Sequence, residues 1–411
     1  MSLIAATIYF AIVLSSALGV YLTRRQAQSA VVHRANVPPE FTGQVSLAEH
    51  QRAADYTVAR ARLSIVETIF DTGVSILWLA VLLAPTYALL ARFIAPGLTL
   101  SVALVVSVAA VGYLLDLPFT IFRTFWLEAG FGFNRTTPRM FILDQAKSAA
   151  LQILLAVPLL YGLFALLSVL PNLWWLFGWA GLMAIMIAMT VLYPTVIAPL
   201  FNKFTPMGDG PMKARIEALL DKCGFESRGL FVMDASKRST HGNAYFSGFG
   251  KGKRIVFFDT LLEKHTPEEI ESILAHELGH FKFGHIWQRI AQTAALAFLG
   301  FIVLHWAFAA EGLASQFGLP RDPGLVLVIL LTASGSVLHL LSPLTSWLSR
   351  RAEFQADGFA RKMVGAQPMI SALTKLSRDN LATLTPDRGY ALFYYSHPPV
   401  PLRIAELKSA P

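Results

Sequence analysis

The sequence predicts an all-α membrane protein of seven transmembrane helices with a small α+β domain on its inner side. Three observations predict it. Hydrophobic residues make up 55% and charged residues 15% of the 411, with a mean hydropathy of +0.53, a balance suited to lipid as the main solvent. Seven apolar runs are long enough for a hydrocarbon core of about 30 Å, which takes roughly 20 helical residues. With the amino terminus outside, only Arg92 and Arg321 of the 34 Lys and Arg residues fall in outer loops, and the positive-inside rule sets that orientation.

The runs lie at residues 3–22, 64–91, 98–118, 148–170, 173–193, 290–312 and 325–347. The first has no basic residue ahead of it and is followed by Arg24 and Arg25, the reverse of a secretory signal's charge order, so it reads as a retained span. Only Pro171 and Asn172 separate the fourth run from the fifth, which demands a tight helical hairpin. Inner-side segments fall at 23–62, 119–147 and 194–289, followed by the tail 348–411. Segment 194–289 is the only one large enough for a small domain, and the tail supplies most of the remaining mass. The net charge of +8 follows from topology, and no basic stripe interleaved with aromatics marks a nucleic-acid groove. Cys223 stands alone, so no intramolecular disulfide forms, and it reads as a small buried hydrophobe.

Within 194–289, residues 212–221 read as a helix and 230–234, 244–249 and 254–259 as strands, the last two joined as a hairpin by the Gly-Lys-Gly turn at 250–252. A helix follows. Thr266 is its N-cap, Pro267 its first residue, and Glu269 completes a capping box, with the helix running to about Trp287.

That helix carries His276-Glu277-Leu278-Gly279-His280. Histidines at i and i+4 share one face, where their ring nitrogens can meet one tetrahedral Zn²⁺ at roughly 2.0–2.1 Å. Glu277 lies to one side of that face, placed to take a proton from metal-bound water and pass it to a leaving amine. The same five residues also suit an exposed polar helix face, but Ile273, Leu274, Ala275, Leu278 and Gly279 make the run apolar enough to bury, and buried polar groups need partners. A second motif follows the seventh run: Glu353 and Asp357, again i and i+4, fit a third ligand and a carboxylate behind a ligating histidine. Their alternative is a juxtamembrane face paired with Arg350, Arg351 and Arg361.

These motifs belong to a longer series. Asp55-Tyr56-Thr57, Leu117-Pro118-Phe119, Gly132-Phe133-Asn134-Arg135-Thr136-Thr137, Asp234-Ala235-Ser236-Lys237-Arg238-Ser239, Asn243-Ala244-Tyr245-Phe246 and Ser396-His397-Pro398-Pro399 followed by Arg403 occur in the order found in the type I CAAX prenyl endopeptidases. The chain resembles that family of integral-membrane zinc peptidases over nearly its whole length. The resemblance implies seven helices around an intramembrane chamber, capped on the inner side by a zincin-like domain. It implies one Zn²⁺ held by His276, His280 and Glu353, with Glu277 as general base. Asn243, Ala244 and Tyr245 fall on the edge strand that binds substrate backbone, a mode that needs only main-chain hydrogen bonds. His397 and Arg403 fall at the active centre, where His397 on its Pro-Pro turn can bond an oxyanion and Arg403 can brace it. As plain turn and strand-start residues, His397 and Asn243 keep simpler readings.

The implied organisation is helices 1–5 with inner loops over 1–193, the peptidase domain over 194–289, helices 6 and 7 over 290–347, and a site-completing segment over 348–411. The expected partners are a peptide or membrane-protein substrate, prenylated or not, and the lipid bilayer, with the protein a monomer and no nucleic acid. The chain closes on Lys408-Ser409-Ala410-Pro411, without the retrieval tail of endoplasmic-reticulum members. That favours a bacterial homologue in the inner membrane with its peptidase domain facing the cytoplasm, or the endoplasmic reticulum if the source is eukaryotic. Two other readings compete: a membrane-protein quality-control protease that needs no prenylation, and a non-enzymatic chamber that binds or transports lipidated peptides. Glu277 separates enzyme from binder, since a closed structural zinc site has four protein ligands and no use for a base. Glu67, Asp71, Asp116, His305, Glu311 and His339 fall within the apolar runs, where ionisable groups face a bundle interior or water.

Overall fold

The computed structural model describes residues 2–227, 229–247, 254–309 and 312–409, and seven of its helices are long and apolar enough to cross a membrane. The first is α1 (Leu3–Val32), begun where the Ser2 hydroxyl accepts the Ala5 N–H. The second joins α2 (Leu47–Leu77) through a widened turn at Trp78–Leu82 to α3 (Leu83–Leu90), and a Ser46–Glu49 capping box starts it. The third, α4 (Leu98–Phe122), runs on to Glu128. Then come α5 (Pro138–Val169), with Thr137 as cap and proline first, and α6 (Trp174–Leu192). In each span's most apolar stretch no more than 33% of residues are buried, and in α6 Trp174 alone is buried, so these helices touch along few seams.

Much of the expected inner loops is helix. α1 and α2 continue past their apolar runs because sequences such as Ala53 to Arg62 are good helix formers, and the extensions have something to hold. Arg25 pairs with Asp387, the Ser29 hydroxyl donates to the Thr385 carbonyl, and Gln26 donates to Tyr395, all tail residues.

The soluble part contains β1 (Phe204–Pro206), α7 (Pro211–Lys222), β2 (Leu230–Met233), β3 (Ala244–Ser247) and β4 (Arg254–Phe258). Sheet order is β1-β2-β4-β3, with β2 and β4 parallel and both outer pairs antiparallel, so β3 forms one edge. β1 was not expected, since three residues ending in proline carry no alternating signal. The Gly-Lys-Gly turn lies outside the described residues, but the Ser247–Arg254 pairing continues the hairpin register up to it.

After α8 (Asp259–Lys264) comes α9 (Pro267–Lys282), with its Thr266–Glu269 capping box present. It stops well before Trp287. Gly284 adopts φ +66°, the Phe283 N–H donates to the Gly279 carbonyl, and α10 (His285–Ala309), the sixth span, starts in a new direction. The seventh, α11 (Pro323–Val364), has 42 residues and so a length of about 63 Å. That is about twice a hydrocarbon core, so its last turns stand inside the soluble part. The tail forms α12 (Ala366–Asp379), α13 (Arg388–Tyr394) and α14 (Val400–Ser409). One apolar core joins Ile216 of α7, Phe257 of β4, Leu274 of α9, Leu373 of α12 and Ile404 of α14, so tail and sheet bury each other.

Ionisable groups in the spans find polar company. Glu67 meets Arg123, Asp116 accepts from Thr120, and the His339 ring sits between the Ser15 and Tyr394 hydroxyls. Asp71 lines a cavity of about 350 Å³ with Ser15, Thr68 and Ser336. His305 lies among the rings of Trp174 and Trp175, while Glu311 lies outside the described residues.

What positions the site is the crossing of α9 over α11. A Cβ built on Gly279 would lie 2.9 Å from the Cα of fully buried Ala356, so only glycine permits this approach. Gly279→Val is expected to force the helices apart at a cost of about 1–3 kcal/mol, the usual range for overpacking. Thermal unfolding and bound-metal content should fall together; a variant with both unchanged would show that the close crossing is not required.

Candidate active site

Because α9 and α11 cross at Gly279, His276 and His280 face Glu353. His276 Nε2 lies 3.3 Å from Glu353 Oε2, His280 Nε2 lies 3.4 Å from Glu353 Oε1, and the two Nε2 atoms are 3.2 Å apart. Ligands on a tetrahedral centre with bonds of about 2.0–2.1 Å lie about 3.3–3.4 Å from one another, so this triangle fits one face of such a centre. Glu353 is fully buried and neither of its oxygens accepts a hydrogen bond. A buried anion left this way costs several kcal/mol unless a cation meets it. The donor set and the unsatisfied carboxylate both fit a divalent metal.

Each histidine is held from behind. His276 Nδ1 donates to Asp357 Oδ1 at 2.8 Å, and the buried Arg403 forks onto Asp357 through Nε at 2.7 Å and Nη2 at 2.5 Å. His280 Nδ1 lies 2.9 Å from His285 Nδ1, and His285 Nε2 lies 2.9 Å from Gln355 Oε1. Since an amide oxygen only accepts, His285 must carry its proton on Nε2 and accept from His280 Nδ1–H. Both ligand faces, His276 Nε2 and His280 Nε2, are thereby left as lone pairs.

The electrostatics ask for a cation. Burial pulls the His276 imidazole down, yet its hydrogen bond to Asp357 and the facing Glu353 carboxylate outweigh burial and raise it to about 9, so a metal binding at Nε2 must displace a proton. His280 is pushed down to about 3, first by burial and then by the charge on His276, so it stays neutral as a ligand must. Glu277, half-buried beside the ligands, is raised by burial above the usual carboxylate range, as suits a base working near neutral pH.

His397 follows α13, its ring 60% exposed and its Nε2 3.3 Å from Glu353 Oε1, so it reaches the centre from the open side. Arg403 stands behind His276 rather than beside His397, with Nη1 3.8 Å from Glu353 Oε2. On β3 the Asn243 carbonyl accepts from Phe258 N–H, and alternation therefore turns the N–H and C=O of Ala244 outward at the open edge. The Ala244 N–H is held at 2.8 Å by the Asn243 side-chain oxygen, which a substrate carbonyl can replace. Tyr245 pairs inward with Val256 and packs edge-on to Phe258.

Sequence reasoning missed His285, Gln355 and Arg289, whose Nη2 lies 3.9 Å from Glu353 Oε1. His285 stands five residues past His280, the wrong face of an unbroken helix, and only the turn at Gly284 brings it round. The signal was present, since a glycine followed by a second histidine ends the motif's own helix.

Two imidazoles, a buried carboxylate and a neighbouring acid, mounted on seven membrane-length helices, define an integral-membrane metallopeptidase. Residues 26–203 match the family model described as CAAX prenyl protease N-terminal, five membrane helices, and residues 206–410 match peptidase family M48. The chain is 39% identical over 297 residues to CAAX prenyl protease 1 homolog of Oryza sativa, covering 72% of this chain and 70% of the relative. It is 31% identical over 417 residues to CAAX prenyl protease 1 of Saccharomyces cerevisiae, covering 94% and 91%. The crystal structure of S. mikatae Ste24p superposes with a TM-score of 0.91 at 28% identity, over 97% of this chain and 98% of that one. The chain belongs to the CAAX prenyl protease 1 family and is a metalloendopeptidase.

His285→Ala is expected to weaken metal binding about 10- to 100-fold, the usual effect of removing a group that orients a ligand. Competition with a fluorescent chelator measures it, and undiminished affinity would mean that His280 needs no partner.

Proposed function

We propose that the metal is zinc, held by His276, His280 and Glu353, and that the protein hydrolyses a peptide bond next to a prenylated cysteine near the carboxyl end of a membrane-bound substrate. The observation that carries this is the 3.2–3.4 Å triangle of ligand atoms that includes a buried carboxylate with no hydrogen-bond partner. When bound, zinc supplies Lewis-acid activation of water and of the scissile carbonyl.

The chain's own residues do the rest. The outward backbone of Ala244, with Asn243 and Tyr245 bonded inward and fixing the strand, aligns an extended peptide beside α9. Glu277 takes the proton from the attacking water and returns it to the leaving amine. His397, on the open side, donates to the oxygen that gains charge. Asp357 and Arg403 keep His276 in its tautomer. Both ligand motifs lie on one chain, which supports a monomer. The crowding of Lys and Arg on the side of the soluble part supports a peptidase domain facing the cytoplasm. The relatives named above are eukaryotic, so the expectation of a bacterial inner membrane gains nothing from them.

Glu277→Gln keeps the side chain's shape but cannot accept the proton. It is expected to retain about one zinc per chain by elemental analysis and to lose roughly 10²- to 10⁴-fold in kcat; full turnover would remove the base.

One peptide, compared with and without a farnesyl group on its cysteine, tests the substrate. A clear preference for the farnesylated form in detergent supports the proposal, and equal cleavage favours membrane-protein quality control instead. If a zinc-loaded sample cleaves neither, the substrate assignment fails.

A further inference from the structure

A second cavity, of about 830 Å³, opens beside the active site at the inner ends of α1, α2 and α4, and no step above uses it. Its volume lies in the range of ligand pockets, roughly 300–1,000 Å³. Arg60, Arg123, Glu128, Arg238, His241 and Tyr395 are among its lining groups.

Its charges do not cancel. Arg123 is paired with Glu67, and Arg238 forks onto Asp144 at 2.9 and 3.2 Å. His241 Nε2 lies 3.6 Å from Glu128 Oε2, and that hydrogen bond holds the imidazole above its ordinary pKa, while the other Glu128 oxygen accepts the Tyr56 hydroxyl. Arg60 forms no ion pair among the described residues. Its guanidinium lies 5.5 Å from the centre of the Tyr56 ring, and its charge acts on Glu128, His241, Tyr390 and Tyr395 across the cavity. Glu128, the only carboxylate in the cavity wall, is in ion-pair range of His241 and not of Arg60, so Arg60 is the lining cation with room for one further carboxylate.

The cavity also lies at the right distance. His241 precedes Ala244 by three residues, and Tyr395 precedes His397 by two. At most about 3.3–3.6 Å per residue, its wall begins within roughly 7–11 Å of the site. In a C-a-a-X terminus three residues follow the cysteine. Extended, they reach about 10–11 Å past the cleaved bond.

We propose that this cavity receives the free carboxyl terminus of the peptide substrate, with Arg60 as its counter-charge. The inference rests on the substrate reading under Proposed function and adds a direction to it. Because the cavity adjoins the amino-terminal end of β3, a substrate whose carboxyl end enters it runs antiparallel to that strand.

The test compares two farnesylated peptides that differ only in ending as a carboxylate or a carboxamide. The wild type is expected to cleave the acid with kcat/KM about 10- to 100-fold above the amide, as befits a hydrogen bond to a charged group. In Arg60→Gln that preference should collapse through a higher KM for the acid, with the amide little changed, and Arg60→Lys should restore most of it. Equal cleavage of acid and amide by the wild type, or an undiminished preference in Arg60→Gln, would overturn the proposal. Titration of the same pair into zinc-loaded Glu277→Gln reads the acid-to-amide ratio as binding without any turnover. A failure of the cleavage reading and a failure of the carboxylate pocket are therefore distinguishable.

Discussion

Glu353 is a carboxylate taken entirely out of water without a hydrogen bond to either oxygen, and the arrangement around it follows from the need to neutralise that charge. His276 and His280 meet it from α9, His397 from the loop after α13, and Arg289 and Arg403 from farther off. No one of these is a full partner. A divalent cation at the triangle outlined by His276, His280 and Glu353 would be, and it would tie α9 to α11. Metal binding at such a centre would couple to folding, since its ligands come together only when those two helices are packed.

The helix crossing at Gly279 and the polar groups behind each histidine make that centre specific. Asp357 and Arg403 on one side, and His285 and Gln355 on the other, settle which ring nitrogen faces the metal. Glu277 is raised by the same burial that strengthens the electrostatic interactions among its neighbours, which would suit it to the proposed role of base.

The soluble and membrane parts are joined at the inner face by polar contacts and by a small apolar cluster of Tyr56, Leu127, Phe133 and Leu381. Arg238 reaches Asp144 of α5, the segment before β3 bonds Phe133 and Arg135, and His241 stacks on Phe133 at 4.2 Å. These contacts hold the edge strand over the ends of the spans, where a substrate anchored in the bilayer would present its peptide.

How much of this was legible in the sequence follows from the range of each signal. Span number, orientation, the start of α9 and the i, i+4 motifs rest on hydropathy, charge and spacing along a single stretch of chain. So does the series of short motifs that carries the family resemblance. β1 was not legible, because three residues ending in proline form a strand only when β2 lies alongside. Nor were the helical extensions of α1 and α2, whose polar ends are held by Asp387, Thr385 and Tyr395 from the other end of the chain. His285 was hidden by a helix end that Gly284 creates, and Arg60's lack of an ion-pair partner among the described residues is a property of a cavity assembled from five separate segments. The sequence by itself determined which residues are candidates for the chemistry and which stretches are apolar enough to cross a membrane, since both are encoded in neighbours along the chain. Only the tertiary structure decided how close the ligands stand, which groups orient them and where a substrate's end can go, because those depend on distances between segments far apart in sequence.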